Sequence, residues 1–406
     1  MNSHGAAERG LEARMSRSDL QQPVSAGIIA AIVGYTSAFA VVLTGLSAVG
    51  ATPSQAASGL LALCVTQAVG MFWLSRRHRM PIVLVWSTPG VALLAGMGPA
   101  DGGWSAAVGA FIVTGVAYVL TGLWPALGRL IARIPAPIAQ AMLAGAILQL
   151  CLAPVVSVVD NPGAVVPIVL VWLVGLRVSP RWAVPAAFVA AGIVIGVGMI
   201  RRGEGIASSS LVPELSLTAP SWTWEAIVAI ALPLYIVTMA SQNVPGIAIM
   251  KSLGYDVPWR DSIVTAGVAT IAGATAGGHS VNLAALSAAL AAGPDAGPDP
   301  TRRWIAAQSA GLTYVVLAVG SAALAALVAI APAGVIAAVA GLALLSTLAD
   351  SLEGSMSQRK GREAAIVTFL VAASGLTPYG IGSAAWAIVA GLAVHALIDW
   401  HPRRVR

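Results

Sequence analysis

Apolar runs of membrane-spanning length follow one another from residue 23 to residue 399, and the charged residues fall in the gaps between them. A bilayer is crossed by roughly 20 consecutive apolar residues. On that rule about fourteen segments stand out: near 23–46, 53–74, 81–97, 104–127, 135–158, 162–176, 182–200, 225–250, 260–276, 274–293, 303–330, 333–349, 363–376 and 380–399. Only 9% of the residues are charged, where a soluble domain carries about a quarter. The chain therefore reads as an all-α polytopic membrane protein. Its net charge of +6 is a matter of loop placement, not a signal for nucleic acid. Cys64 and Cys151 lie in separate apolar runs, which speaks against a disulfide framework or a thiolate metal site. Residues 1–20 are polar, lack the apolar stretch of a cleaved leader, and read as a mobile cytoplasmic tail.

With an inside N-terminus and fourteen crossings, 20 of the 22 basic residues fall on one side and only Arg201 and Arg202 on the other. Cytoplasmic loops carry the excess of Lys and Arg, so both termini are expected in the cytoplasm. The two halves also match. Gly115-Val-Ala-Tyr118 corresponds to Gly311-Leu-Thr-Tyr314, and Ala144-Gly145 to Ala340-Gly341, all at an offset of 196. Seven spans per repeat is an odd number, so the expected architecture is a 7+7 inverted repeat. Inverted repeats with paired broken helices are the sequence pointer to a secondary transporter with a site at the midplane.

Two spans carry such breaks. Span 3 contains Val85-Trp86-Ser87-Thr88-Pro89-Gly90, and span 10 contains Gly277-Gly278-His279-Ser280-Val281-Asn282. In lipid an irregular backbone survives only where it is buried in protein or lines a cavity. Each broken span is expected to be a short extended segment plus a half-helix: span 3 runs extended through Trp86, and Thr88 caps a half-helix that begins at Pro89, where the missing N–H costs nothing. Ser280 is expected to cap a second half-helix from Val281, which would set His279 beside that helix N-terminus. Two N-termini converging from opposite sides favour an anion.

Span 8 adds Tyr235, Ser241, Gln242 and Asn243, polar groups that can hydrogen-bond a carboxylate or join helices. Every Asp and Glu falls in a tail, a loop or at a span end, Asp350 lying nearest an interior position. His279 is therefore the candidate proton carrier, since imidazole titrates near physiological pH; His395 is read as structural. Trp86, with Tyr35 and Phe39 at i, i+4 on span 1, could hold an apolar ring. Trp104, Trp124, Trp182, Trp222 and Trp224 sit near span ends and read as interfacial anchors.

With these strings in view the chain resembles the benzoate:proton symporter (BenE) family. The resemblance rests on Val85-WSTPGVAL-Leu94, Ala231-LPLYIVTMASQNVPGI-Ala248, His279-SVNLAALSAA-Leu290 and Gly341-LALLSTLADS-Leu352. It implies the fold of uracil permease and the sulfate-permease carriers, with a core domain of spans 1–4 and 8–11 (21–130 and 222–330) and a gate domain of spans 5–7 and 12–14 (131–221 and 331–400). It implies import of benzoate with a proton across a bacterial inner membrane, and it leaves a homodimer open. Nucleobase carriers of this fold have glutamates on spans 8 and 10 where Gln242 and His279 stand here, a departure that suits an anionic substrate. The substrate-site candidates are thus Tyr35, Phe39, Trp86, Ser87, Thr88, Gly90, Tyr235, Ser241, Gln242, Asn243, Ser280 and Asn282, with His279 for the proton. No cofactor or metal is expected. The alternatives are a nucleobase or inorganic-anion carrier of the same fold and a passive anion channel. An intramembrane enzyme is disfavoured, because no metal-ligand spacing or nucleophile elbow appears.

Overall fold

The computed structural model describes residues 3–124, 126–128, 134–203, 213–284, 286–359 and 361–399. Arg129, Arg133, Lys360, Arg403, Arg404 and Arg406, all counted in the charge split, lie outside the described residues.

The first helix, α1, runs Ser3–Ala48 with Pro23 inside it. The segment expected to be a mobile tail is thus helical backbone continuing into the first span. Its Ala, Glu, Leu, Arg and Met residues are strong helix formers. Next come α2 (Pro53–His78), a short strand β1 (Leu84–Trp86), α3 (Thr88–Ala95) and α4 (Gly103–Leu123). The start of α2 is a capping box: Thr52 Oγ1 accepts from Gln55 N–H and Gln55 Oε1 accepts from Thr52 N–H, with Pro53 as the first helical residue. Three helices follow, α5 (Ala136–Asp160), α6 (Pro162–Val178) and α7 (Pro180–Arg202).

The second half opens with α8, Trp224–Ser252. It holds two π-helical turns, Ile227–Ala231 and Met239–Asn243. Pro233 and Pro245 stand just after them. A proline lacks the N–H and clashes with the carbonyl four residues back, and a widened turn relieves both problems without ending the helix. Then come α9 (Trp259–Ala274), strand β2 (Val281–Leu283), α10 (Leu286–Ala292) and the pair α11 (Trp304–Val319) and α12 (Ser321–Ala329). The chain closes with α13 (Val335–Met356), α14 (Arg362–Ala373) and α15 (Ser383–Asp399). Among the described residues seven helices are long and apolar enough to cross a membrane, or eight if α11 and α12, bent by 49°, count as one span.

Packing sorts these helices by partner. α4 lies against α9, and α11 against both α1 and α2, while α5 lies against α13 and α14, and α6 against α7. The largest fully buried side chains include Tyr118, Tyr314, Phe39 and Phe111. Arg303 is buried at the end of α10, where its Nη1 donates to Ala292 O at 2.8 Å and its Nε to Gly297 O at 2.8 Å. A cation suits a helix C-terminus, and here it fixes where that half-helix stops.

Two expectations change. Trp104 is not an interfacial anchor: it is buried, and its Nε1 donates to Thr218 Oγ1 at 3.0 Å, beneath the segment that leads into α8. Trp124, Trp182, Trp222 and Trp224 are exposed. Asp350 is exposed on α13 and is not an interior residue.

Candidate functional site

The two breaks meet. β1 and β2 pair antiparallel, with Leu84 opposite Leu283, Val85 opposite Asn282 and Trp86 opposite Val281. The main chain closes the crossing at both ends: Ser87 N–H donates to Ser280 O at 3.0 Å and Ala284 N–H to Val83 O at 3.0 Å. Each strand consumes backbone groups that a broken helix leaves open, which is how an irregular segment is tolerated deep in an apolar protein.

The start of α3 differs from expectation by one residue. Ser87, not Thr88, is the N-cap: its φ/ψ of −76°/93° is extended, and its Oγ accepts from Gly90 N–H at 3.0 Å. Val91 N–H donates to Ser87 O, and Pro89 has no N–H, so Thr88 carries the remaining donor of the first turn. Ser87 Oγ also lies 2.7 Å from Thr238 Oγ1 on α8. Gly90 is what allows that approach. A Cβ there would run into the Leu234 side chain and sit 2.7 Å from Ser87 Oγ.

The second break departs further. Ser280 caps no helix and Val281 begins a strand; α10 starts at Leu286. Pairing with β1 claims the backbone that the half-helix was expected to use. The Ser280 hydroxyl instead meets the Tyr118 hydroxyl at 2.9 Å. His279 is therefore not beside a helix N-terminus. It is fully buried and packs edge-on to Phe111 of α4, with ring centroids 6.4 Å apart. Neither of its ring nitrogens has a hydrogen-bond partner among the described residues. Gly277, at φ +96°, makes the turn into this segment, and a side chain there would press on Gly59 and Gln55 of α2.

The polar groups of span 8 divide. Asn243 is buried and structural in its contacts, its Oδ1 accepting from Leu283 N–H at 2.9 Å and so pinning β2 to α8. Ser241 Oγ donates back to Val237 O at 2.6 Å. Gln242 is half-buried between them in sequence, on the π turn that lies against α5. Asn282 Nδ2 donates to Leu283 O at 2.7 Å, and its Oδ1 has no partner among the described residues.

The aromatic residues form a connected chain of rings. Tyr35 stacks on Phe39 at 5.8 Å and meets Trp86 edge-on at 5.7 Å. Trp86 meets Tyr314 of α11 at 5.7 Å, and Phe39 meets Phe188 of α7 at 4.4 Å. The Tyr35 hydroxyl is buried without a hydrogen-bond partner among the described residues. Tyr235 is not part of this chain. It tilts against Tyr118 at 5.6 Å, and its hydroxyl meets Thr121.

Comparison with known proteins fits this geometry to a family. The family described as "Benzoate membrane transport protein" matches residues 18–397. The chain belongs to the benzoate membrane transport family. It is similar to the inner membrane protein YdcO of Escherichia coli (38% identical over 92% of this chain and 95% of that protein). It is also similar to the benzoate membrane transport protein of Acinetobacter baylyi (30% identical over 92% and 94%). Among solved structures it shares the fold of the transmembrane domain of the cyanobacterial bicarbonate transporter BicA, with a TM-score of 0.63 at 14% identity over 92% of this chain and 97% of that one. SLC26A9 matches with a TM-score of 0.60 at 13% identity, over 91% of this chain and 65% of that one. As a member of the benzoate membrane transport family the protein is a membrane transporter and not an enzyme.

For a benzoate-family transporter, four residues of this constellation went unremarked as site candidates in the sequence: Tyr314, Phe188, Tyr118 and Thr238. Tyr118 and Tyr314 did carry a signal, as equivalent members of the two matched Gly-x-x-Tyr strings. Each attends the opposite break, Tyr118 on Ser280 and Tyr314 on Trp86. A cavity of about 210 Å³ lies at the far end of α3, lined by Leu93, Gly96, Ala146, Glu225, Ile230 and Ser383. It is a full half-helix away from the crossing and is lined by residues of α3 and α8 together with residues of α5, α14 and α15.

Proposed function

We propose that the protein is a secondary active transporter that imports benzoate, or a similar aromatic carboxylate, together with a proton across a bacterial inner membrane. The observation that carries this reading is the juxtaposition at the crossing. A capped helix N-terminus, Ser87–Gly90, follows directly on Trp86, which meets both Tyr35 and Tyr314 in the aromatic chain. A helix N-terminus attracts a carboxylate, and an aromatic wall accepts an aryl ring in edge or offset geometry. The named function of the Acinetobacter relative points to the same substrate. Thr88 N–H and the half-buried Gln242 are the donors we assign to the carboxylate. Tyr35, Phe39 and Trp86 are assigned to the ring. Ser87, Gly90, Asn243, Ser280 and Asn282 hold the crossing in shape.

The architecture we propose is fourteen spans in two inverted repeats. Support comes from the reciprocal roles of Tyr118 and Tyr314. It comes also from matching close contacts: Gly115 lets α4 approach α9, and Gly311 lets α11 approach α2. The helix partnerships support a core of spans 1–4 and 8–11 packed against a gate of spans 5–7 and 12–14. On this reading both termini are cytoplasmic.

His279 is the proton carrier in this proposal. It stands one residue from the backbone bond that joins the breaks. A proton placed on its unpartnered ring creates a buried charge that needs a counter-charge. A bound carboxylate supplies one, and the help is reciprocal by linkage. Uptake of labelled benzoate into proteoliposomes tests the whole reading. Accumulation above equilibrium under a proton gradient, abolished by collapsing that gradient, is the expected result. Equilibration without accumulation would mean a passive channel, and transport of bicarbonate but not benzoate an inorganic-anion carrier; either overturns the proposal.

A further inference from the structure

The chain of rings has one member that comes from elsewhere. Tyr35 and Phe39 are on α1, Trp86 on β1 and Tyr314 on α11, all within the group of helices assigned to the core. Phe188 is on α7, which packs on α6 with Ala183 close against Gly175, and reaches across to α1 and α13. Its ring stands edge-on to Phe39 at 4.4 Å and 74°, the tightest ring pair among the described residues. Phe39 is fully buried and meets both Tyr35 and Phe188. Phe188 itself is only half-buried.

We propose that Phe188 is a specificity-determining residue, the wall contributed by the second group of helices that bounds the ring end of the substrate site. The proposal rests on the reading above, in which Trp86, Tyr35 and Phe39 receive the ring of an aromatic carboxylate. The physical reason is the kind of contact. An edge-to-face aromatic pair is a geometry that an incoming aryl ring can reproduce. Phe188 thus presents to Phe39 the same surface that a substrate ring presents. The space between the carboxylate end, fixed at Ser87–Gly90, and the ring end, closed by Phe188, sets how long and wide an aryl group can be. The contact also joins two helix groups that share few other aromatic contacts. If the groups move relative to one another, this ring pair must part.

The test is a pair of substitutions read against two ligands, benzoate and 2-naphthoate, with affinities measured by calorimetry on purified protein. Phe188→Ala enlarges the ring end and is expected to shift the benzoate-to-naphthoate affinity ratio at least tenfold towards naphthoate. Phe188→Trp fills it and is expected to shift the ratio the other way. A residue that only supports the fold lowers both affinities together and leaves the ratio where it was. Such a result in both variants, with wild-type protein binding benzoate, overturns the role of Phe188 while leaving the transport reading intact. Wild-type protein that binds neither ligand overturns that reading and this proposal with it. Should Phe188→Ala fail to give a single peak on size exclusion, Phe188→Leu, closer in volume, carries the same expectation at reduced size, and an unchanged ratio there counts against the proposal equally.

Discussion

The bond between Ser87 and Thr238 joins the first break to span 8, and a double-mutant cycle measures it. Ser87→Ala removes two things at once, the cap on Gly90 N–H (3.0 Å) and the hydroxyl pair with Thr238 (2.7 Å). Loss of an N-cap costs about 1 kcal/mol and loss of a neutral hydrogen bond about 1 kcal/mol, so this variant should lose about 2 kcal/mol. Thr238→Val keeps the shape and removes the pair alone, at about 1 kcal/mol. The double variant cannot lose the same bond twice, so its cost should stay near about 2 kcal/mol, a coupling of about 1 kcal/mol. The cycle cancels whatever else each hydroxyl does, including the contact of Thr238 with Tyr118. Unfolding by SDS titration in mixed micelles gives the stabilities, and calorimetry gives benzoate affinity. If the crossing is the binding site, Ser87→Ala should also weaken benzoate by about tenfold, the equivalent of about 1.4 kcal/mol. Full additivity in the cycle would refute the hydroxyl pair as a fastening. An unchanged affinity in a destabilised Ser87→Ala protein would separate the crossing from the site.

Three further outcomes follow from the same geometry. Gln242→Glu should weaken benzoate binding at neutral pH by at least tenfold through like-charge repulsion, and an unchanged calorimetric Kd places the carboxylate elsewhere. Benzoate affinity should rise as the pH falls, because a proton on His279 and the bound carboxylate assist each other, and His279→Gln should flatten that rise while retaining some binding. A full pH dependence together with uphill uptake in that variant assigns the proton to another group. Gly90→Ala should cost about 1–3 kcal/mol by overpacking against Leu234 and Ser87; a protein as stable as wild type in the same SDS titration would show that α3 has room to shift.

The breaks were legible in the sequence because proline, paired glycines and polar residues are out of place in a bilayer-length apolar run. The extended stretch before Pro89 was legible for the same reason, and it is β1. What span 10 does was not, because its conformation is decided by a partner about 200 residues away. Val281 and Leu283 are as compatible with a helix as with a strand until Trp86 and Leu84 pair with them. The one-residue shift of the cap from Thr88 to Ser87 is a smaller matter of the same sort: both residues can cap, and proline is tolerated throughout a first turn. Phe188 and Tyr314 were invisible as neighbours of the ring wall, since a buried aromatic residue on an apolar helix reads the same as one that faces lipid.

The crossing is stitched by main-chain atoms, and that has an evolutionary consequence. Ser87 N–H to Ser280 O and Ala284 N–H to Val83 O are bonds that nearly any residue can supply. A lineage can therefore exchange the side chains around the crossing without unpicking the frame that presents them. The bicarbonate transporter domain keeps this fold at 14% identity, a distance at which few side chains are held in common. On the proposed site, rings such as Phe39, Trp86 and Phe188 can be exchanged one at a time while the backbone joint of this protein stays in place.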